Sequence, residues 1–115
     1  MSRDTRAISW VKAARKDFAS FPQGARARIE AALTIAAEGR MADIAKPMKG
    51  LGAGVFEIAL RHRTDAYRIV YAVRIDADVW VIHAFQKKSK AGIGTPKPEV
   101  DVIRQRLRRL QEELR

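Results

Sequence analysis

The chain has 115 residues and carries a formal net charge of +10, from 23 lysines and arginines against 13 aspartates and glutamates. Its hydrophobic content of 47% predicts a folded globule, and its length suits a single domain over residues 1–115. The lack of cysteine excludes disulfides, thiol catalysis and cysteine-based zinc sites. Because it has neither an apolar run of about 18 residues nor a signal-like N-terminus, we expect a cytoplasmic protein without a membrane span.

The positive charge is spread along the whole chain and is not collected in a terminal arm. A basic folded domain of this kind favours nucleic acid or an acidic protein as its partner. Ordinary solubilising surface charge is the alternative. Charge therefore narrows the class of partner without assigning an activity.

The N-terminal part predicts a short strand followed by two helices. The strand is assigned to Ala7–Trp10, and apolar residues at steps of three and four predict helices over Val11–Phe21 and Ala25–Glu38. Gly39 stands where a helix C-terminal cap is expected. The short break between the helices predicts an antiparallel helical hairpin. Glycine and proline then make Arg40–Gly54 an irregular connection.

Two strands with alternating apolar and polar residues follow. Val55–Arg61 and Tyr67–Ile75 are predicted to form an antiparallel hairpin across a short turn. A register with Arg61 opposite Arg68 puts both apolar rows on the core face and leaves both arginines on the non-core face with Glu57. Adjacent arginines repel each other unless an anion lies between them, and Glu57 supplies part of that compensation.

The last predicted strand, Val79–Lys90, is apolar near its start apart from His83, which is typical of a buried strand. It follows a tight turn predicted at Asp76–Asp78. Its end brings three cations to one edge of the sheet: Lys87, Lys88 and Lys90. Lys87 and Lys88 point to opposite faces, so one of them reaches the arginine face. Whether His83 lies on that face depends on whether the turn takes two or three residues.

A glycine- and proline-rich loop leads to a C-terminal amphipathic helix. Pro98 suits the first helical position, and apolar residues at steps of three and four form one stripe: Val100, Ile103, Leu107, Leu110 and Leu114. The element order is strand, helix, helix, three strands and helix. This order predicts an α+β domain, in which antiparallel hairpins form a small twisted sheet with the helical hairpin on one face.

Several runs carry a family resemblance, in this chain order: Met48-Lys49-Gly50-Leu51, Phe56-Glu57-Ile58 with Arg61, Tyr67-Arg68-Ile69-Val70-Tyr71, His83-Ala84-Phe85-Gln86-Lys87-Lys88 and Thr95-Pro96. Together they resemble the RelE/ParE toxin superfamily, and within it the HigB-like group of phage-derived or phage-related proteins. The resemblance implies a RelE-like two-layer fold and the toxin of a type II toxin–antitoxin module, whose partner is an antitoxin with a helix-turn-helix. It further implies a ribosome-dependent endoribonuclease that cleaves mRNA without a metal or other cofactor.

Metal-free RNA cleavage needs a base that removes the 2′-OH proton, cations that stabilise the phosphorane and an acid that protonates the 5′-oxygen. Arginine offers a planar fork for phosphate, and lysine offers further charge. The candidate catalytic residues are Arg61, Arg68, Lys87, Lys88, Glu57 and His83, and the candidate RNA-binding residues are Lys49, Lys90 and Arg74. The base is open between a lysine crowded by other cations, Glu57 and His83. With two histidines and no cysteine, we expect no metal site.

Each assignment has a plainer alternative. Arg61 and Glu57 would also fit an ordinary surface ion pair, and His83 would fit a structural histidine. Tyr67 and Tyr71 share the apolar face and fit core residues better than base-stacking platforms. For function, the alternatives are a ParE-like inhibitor of DNA gyrase without enzymatic activity and a non-catalytic basic module that binds nucleic acid.

Overall fold

The computed structural model of the protein describes residues 5–87 and 94–114. Within these ranges the chain forms five strands and three helices. In chain order they are β1 Ile8–Trp10, α1 Lys12–Ala19, α2 Gln23–Ala37, β2 Ala45–Pro47, β3 Val55–His62, β4 Asp65–Ala72, β5 Val79–Lys87 and α3 Lys97–Glu113. None of these described helices combines the length and apolar character that a membrane span requires. The predicted α+β class and element order are confirmed, with β2 as an additional strand.

The strands form one mixed sheet in the order β1-β5-β4-β3-β2. β1 runs parallel to β5, and the other neighbouring strands are antiparallel, as the predicted hairpins require. The connection Arg40–Gly54 is not wholly irregular, because Ala45–Pro47 pairs with the start of β3. Pro47 cannot donate a ladder hydrogen bond, which is tolerated because β2 is a short edge strand.

The predicted register of the β3–β4 hairpin is wrong by two residues. Arg61 pairs with Ala66, and Arg68 pairs with Ala59. The reason is the turn, which has only two residues and holds Arg63 at a positive φ of 59°. Because side chains alternate between faces with a period of two, both arginines nevertheless stay on the same face of the sheet.

The α1–α2 hairpin covers one face, here called the hairpin face, and confirms the predicted helical pair. The stripe residues Ala14, Phe18, Ile29 and Leu33 are buried there. Aromatic rings extend this core from β1 to β4, since Trp10 packs on Phe18, Phe18 on Phe21, and Phe21 on Tyr67. α2 ends at Ala37, and Gly39, which follows two residues later with a φ of 88°, takes the left-handed cap position that was predicted for it.

The opposite face, here called the α3 face, was predicted to lie outside the core, and this is wrong for the part that α3 covers. There α3 packs its apolar stripe against the sheet and forms a second buried cluster: Val55, Val70, Ala72, Ile82, Ile103, Leu107 and Leu110. Leu114, at the end of the predicted stripe, is 41% exposed. The rest of the α3 face carries polar side chains, next to the N-terminus of α3.

The connection from β4 to β5 is longer than the predicted tight turn. β4 ends at Ala72 and not at Ile75, and residues 73–78 form the connection. The guanidinium of Arg6 donates hydrogen bonds of 2.7–3.1 Å to four of its carbonyl oxygens, those of Val73, Asp76, Ala77 and Asp78. A single cation from the N-terminal segment therefore holds this loop in shape.

Candidate active site

A β-bulge decides which side chains of β5 reach the α3 face. Tyr71 pairs with Val81, whereas the preceding Val70 pairs with His83, so Ile82 is an extra residue in β5. A bulge interrupts the alternation of side chains between the two faces. As a result Ile82 enters the α3 core and His83 also lies on the α3 face. This settles the placement of His83 that the sequence left open.

Beyond the bulge, the alternation brings Lys87 to the α3 face as well. Phe85 pairs with Arg68, and Lys87 pairs with Ala66, so these side chains share a face. Lys87 is 8% exposed. Lys88 and Lys90 lie outside the residues that the structure describes, and their predicted roles stay predictions.

Glu57 is the centre of a buried polar cluster. Its carboxylate is 3.2 Å from Nη1 of Arg68, and its other oxygen accepts a 2.6 Å hydrogen bond from the hydroxyl of Thr95. Glu57 is 3% and Arg68 is 8% exposed. The ion pair of Glu57 therefore joins two strands and involves Arg68, in contrast to the surface pair with Arg61 considered above. Burying two charges is costly, so the pair fixes the positions of the two side chains more than it adds net stability.

His83 connects the same face to α3 through both ring nitrogens. Nε2 lies 2.6 Å from a carboxylate oxygen of Glu99, and Nδ1 lies 3.0 Å from Nη1 of Arg106. A guanidinium can only donate, so Nδ1 must accept, and the hydrogen-bond partners assign the imidazole proton to Nε2, which donates to Glu99. The same Arg106 nitrogen donates to the carbonyl of Ile82 at 3.1 Å. The structural alternative for His83 thus has direct support in its contacts.

Arg61 is the exposed member of the group. It lies near the end of β3, on the α3 face, because it pairs with Ala66 in the same row as Arg68. Its guanidinium is open to solvent, whereas Arg68 and Lys87 are buried. The cations Arg61, Arg68, Lys87 and Arg106 outnumber the carboxylates of Glu57 and Glu99, so this part of the face favours an anion.

Lys49 and Arg74 are not part of this group. Lys49 follows β2 and is exposed near the Val55 end of β3, whereas Arg61 lies at the opposite end. Arg74 is exposed beyond the end of β4, with its side chain against Gly54, six residues from Arg68 along the chain. At about 3.3 Å per residue this separation is roughly 20 Å. Any RNA contact of Arg74 would therefore be distant from Arg68, and one of Lys49 would lie towards the end of β3 that is opposite Arg61.

The two tyrosines of β4 belong to the hairpin core, as predicted. Tyr67 and Tyr71 are 5% and 1% exposed. Burial raises the pKa of Tyr71 to about 12, and burial together with the charge of Asp65 raises the pKa of Tyr67. Both phenols therefore stay protonated at neutral pH and neither offers a base.

The sequence assigned no site role to three residues that contact the cluster: Thr95, Glu99 and Arg106. Each acts through a tertiary contact of α3 or the segment before it. The available signals were the place of Thr95 in a run that carries the resemblance and the spacing of seven between Glu99 and Arg106, which puts both on one side of a helix. Within residues 5–87 and 94–114, no three histidine, aspartate or glutamate side chains are grouped to hold a metal ion.

Comparisons with known proteins agree with this architecture. The profile of the family described as Phage derived protein Gp49-like matches residues 16–108. A solved structure of an arginine-to-alanine double mutant of the E. coli toxin RelE in the free state is similar with a TM-score of 0.61 at 20% identity, over 91% of this chain and 97% of that chain. No curated protein sequence is significantly similar. The predicted RelE-like fold and the phage-derived group are thereby confirmed, and the chain belongs to the Phage derived protein Gp49-like family.

Proposed function

We propose that the protein is the toxin of a type II toxin–antitoxin module and that it cleaves ribosome-bound mRNA without a metal ion. The observation that carries the proposal is the meeting of Arg61, Arg68 and Lys87 on one face of the sheet, beside Glu57 and His83. The fold shared with the E. coli toxin RelE supports it. The partner expected for such a toxin is a cognate antitoxin.

The proposed reaction uses only groups that a protein and RNA supply. The 2′-oxygen of one nucleotide attacks the adjacent phosphorus and loses its proton to a base. The bond from phosphorus to the 5′-oxygen breaks, and an acid protonates that oxygen. The products are a 2′,3′-cyclic phosphate and a 5′-hydroxyl end. Negative charge gathers on the phosphorane during this step, and nearby cations lower its energy.

The three cations suit different parts of this task. Arg61 is exposed, so its planar guanidinium is the group that meets a phosphate first. Arg68 and Lys87 are each 8% exposed. Their charges act through a medium of lower dielectric constant than water and are screened less by salt. We therefore assign phosphate binding to Arg61 and electrostatic stabilisation to Arg68 and Lys87.

Proton transfer is the demanding part of the proposal. Glu57 is engaged with Arg68 and Thr95, and both nitrogens of His83 are engaged with α3. His83 would accept a proton at Nδ1 only after Arg106 moves away, whereas the carboxylate of Glu57 keeps acceptor sites beyond its contacts with Arg68 and Thr95. The base is thus Glu57, His83 after a local rearrangement, or a lysine crowded by other cations, the third possibility that the sequence left open.

The first experiment compares two exposed arginines in cells. Brief expression of the wild type should arrest growth and produce new mRNA 5′ ends, mapped by sequencing of transcript ends. Arg61→Ala should reduce cleavage by about 100-fold, the usual effect of losing one charge-stabilising donor. Arg28→Ala is the matched control, because Arg28 is also exposed but lies on α2, on the other side of the sheet. Equal toxicity of both variants would contradict the site.

The chemical groups at the new RNA ends test the cleavage mechanism separately. Ends with 5′-hydroxyl and 2′,3′-cyclic phosphate groups, formed on intact ribosomes by purified protein that was stripped of metal with EDTA and then freed of the chelator, are the expected result. Growth arrest with intact mRNA and a DNA-damage response would instead favour a gyrase inhibitor. RNA binding without arrest or cleavage would favour the non-catalytic basic module, which the occupation of both His83 nitrogens and the ion pair of Glu57 make the stronger alternative.

A further inference from the structure

A small cavity lies on the hairpin face of the sheet, on the other side from the proposed active site. It has a volume of about 230 Å³ and lies between the C-terminal end of α2 and the strands β3 and β4. Phe56, Tyr71 and Val73 form its sheet side, and Ala36 contributes to its helix side. The volume is below that of a pocket for a drug-sized ligand, so the cavity suits a molecule built around one ring.

Tyr71 brings an unpaired hydroxyl to this cavity. The residue is 1% exposed, and its hydroxyl has no hydrogen-bond partner within residues 5–87 and 94–114. The hydroxyl oxygen is not fully enclosed by protein, and Tyr71 lines the cavity, so the cavity is where this oxygen meets solvent. Because burial raises the pKa of Tyr71 to about 12, the hydroxyl is protonated at neutral pH and can donate. A molecule that enters the cavity should therefore offer an acceptor at this point, since a hydroxyl left without a partner is costly.

Arg6 brings a guanidinium that is already fixed in position. Its Nε and Nη2 donate to the four carbonyl oxygens of the loop between β4 and β5. Arg6 also lines the cavity, and its Nη1 has no acceptor in the part of the chain that the structure describes. The cation thus keeps spare N–H donors without needing to be ordered by a ligand, and a carboxylate is a group that fits them.

The rim of the cavity adds positive charge. Arg40 lines it, is exposed, and pairs at the surface with Glu38. An exposed pair of this kind contributes little to stability, so Arg40 can exchange Glu38 for an incoming anion. Among the described residues, no carboxylate lines the cavity. The side chain of Met41, which is 49% exposed, adds a flexible apolar group at the same place.

We propose that this cavity binds a small aromatic carboxylate, with its ring on Phe56, its carboxylate at Arg6 and an acceptor group at the hydroxyl of Tyr71. Phe56 is partly exposed, and its ring stacks on that of Tyr71 with 5.3 Å between centroids and 15° between planes. A flat ligand ring can continue this stack. Val73, whose carbonyl accepts from Arg6, follows Tyr71 by two residues, so the guanidinium lies roughly 7 Å further along the chain. One aromatic ring with groups at its opposite ends can bridge such a distance.

The test follows the backbone amide NMR shifts of the full chain during titration with three matched probes. The first, para-acetylbenzoate, carries a carboxylate and, at the opposite end of its ring, a carbonyl acceptor. The second, para-isopropylbenzoate, has a group of similar shape without the acceptor, and the third, methyl para-acetylbenzoate, lacks the charge. We expect saturable shifts with the first probe at millimolar concentration or below, concentrated in residues 36–41 and 71–73. The neutral ester should bind at least about tenfold more weakly.

Two conservative variants test the hydroxyl. Tyr71→Phe removes it and keeps the ring, and Tyr67→Phe is the matched control, because Tyr67 is also a buried tyrosine of β4 but is not among the side chains that line the cavity. We expect Tyr71→Phe to weaken the binding of para-acetylbenzoate by about three- to tenfold, the usual effect of one hydrogen bond. The binding of para-isopropylbenzoate should change by less than about twofold, because it makes no such bond. Tyr67→Phe should leave the binding of both acids within about twofold of wild type.

Several results would overturn the proposal. They are the absence of saturable shifts, shifts centred on Arg61 and its neighbours in place of the cavity, equal binding of the neutral ester, and equal weakening of both acids by Tyr71→Phe. Circular dichroism shows whether each variant is folded, and the comparison of the three probes on the wild type needs no variant. Because the cavity and the proposed active site lie on opposite faces of the sheet, Arg61→Ala should bind para-acetylbenzoate as the wild type does, whether or not the protein cleaves RNA.

Discussion

The buried ion pair between Glu57 and Arg68 gives the sharpest prediction about the cluster. Glu57→Gln keeps the shape of the side chain and an oxygen for the hydroxyl of Thr95, but it removes the charge that faces Arg68. The guanidinium then stays buried without its carboxylate. Arg68→Met is the reverse perturbation, because it keeps an unbranched side chain and leaves the carboxylate without its cation.

The magnitude follows from the geometry. At the observed 3.2 Å separation, an effective dielectric constant of about 20 gives roughly 5 kcal/mol of Coulomb attraction. Desolvation of two side chains that are 9% and 3% exposed offsets most of this in the intact pair. When one partner is removed, the desolvation cost of the other remains, so each single variant should lose about 3–5 kcal/mol of unfolding free energy. The double variant should lose less than the sum of the two, with a coupling of about 2–3 kcal/mol.

Urea denaturation of the wild type, the two single variants and the double variant measures these losses and the coupling between them. The control is Asp101→Asn, which breaks an ion pair of similar length, 3.1 Å, between side chains that are 83% and 58% exposed. This control should change the unfolding free energy by less than about 0.5 kcal/mol. Single losses of that same small size, or additive losses in the double variant, would refute the assignment of a buried, coupled pair. Large losses would also mean that activity of Arg68 variants reports folding, which is why Arg61 carries the functional test.

Three further predictions concern other contacts. Arg6→Ala should lower the unfolding free energy by about 2–3 kcal/mol, since hydrogen bonds to the loop carbonyls are lost. Arg6→Lys should recover less than half of this loss, because a lysine ammonium lacks the planar, forked donors of a guanidinium. Full recovery by lysine would argue against Arg6 as the side chain that holds this loop in shape. The pKa of Tyr71 is raised to about 12, so its contribution to stability is complete below pH 10 and is lost as the pH rises towards 12; Tyr71→Phe should flatten this alkaline loss, and an unchanged slope would contradict it. Nitrogen NMR at neutral pH should find His83 protonated at Nε2 and not at Nδ1, and the opposite tautomer would exclude the contact with Arg106.

The sequence predicted best the features that depend only on which face of a strand a residue occupies. The predicted register misplaced Arg61 by two residues, yet Arg61, Arg68 and Glu57 still share a face, because an error of two restores the alternation. The apolar spacing of the helices was similarly robust, since several buried side chains support each stripe. An error in the placement of one side chain does not remove such a stripe.

The β-bulge at Ile82 could not be predicted in this way. Strict alternation from Val79 would place His83 and Lys87 on the hairpin face, together with Val79 and Val81. No glycine or proline in β5 marks the interruption. The cause is tertiary, because Val81 and Ile82 are both completely buried but in two different cores, which the local sequence does not distinguish.

The contacts of α3 also decide how a phosphate would reach the cluster. Thr95 and Glu99 hold the start of α3 against Glu57 and His83, while Arg61 stays exposed. A phosphate bound directly by Arg68 would have to displace a carboxylate that attracts the guanidinium at close range, at a cost comparable to the single-variant losses above. A phosphate held by Arg61 needs no such exchange, because buried charges beneath it act through space. On the proposed function, we therefore expect phosphate binding to depend on the exposed Arg61, while the buried Arg68 and Lys87 contribute to the electrostatic potential around it.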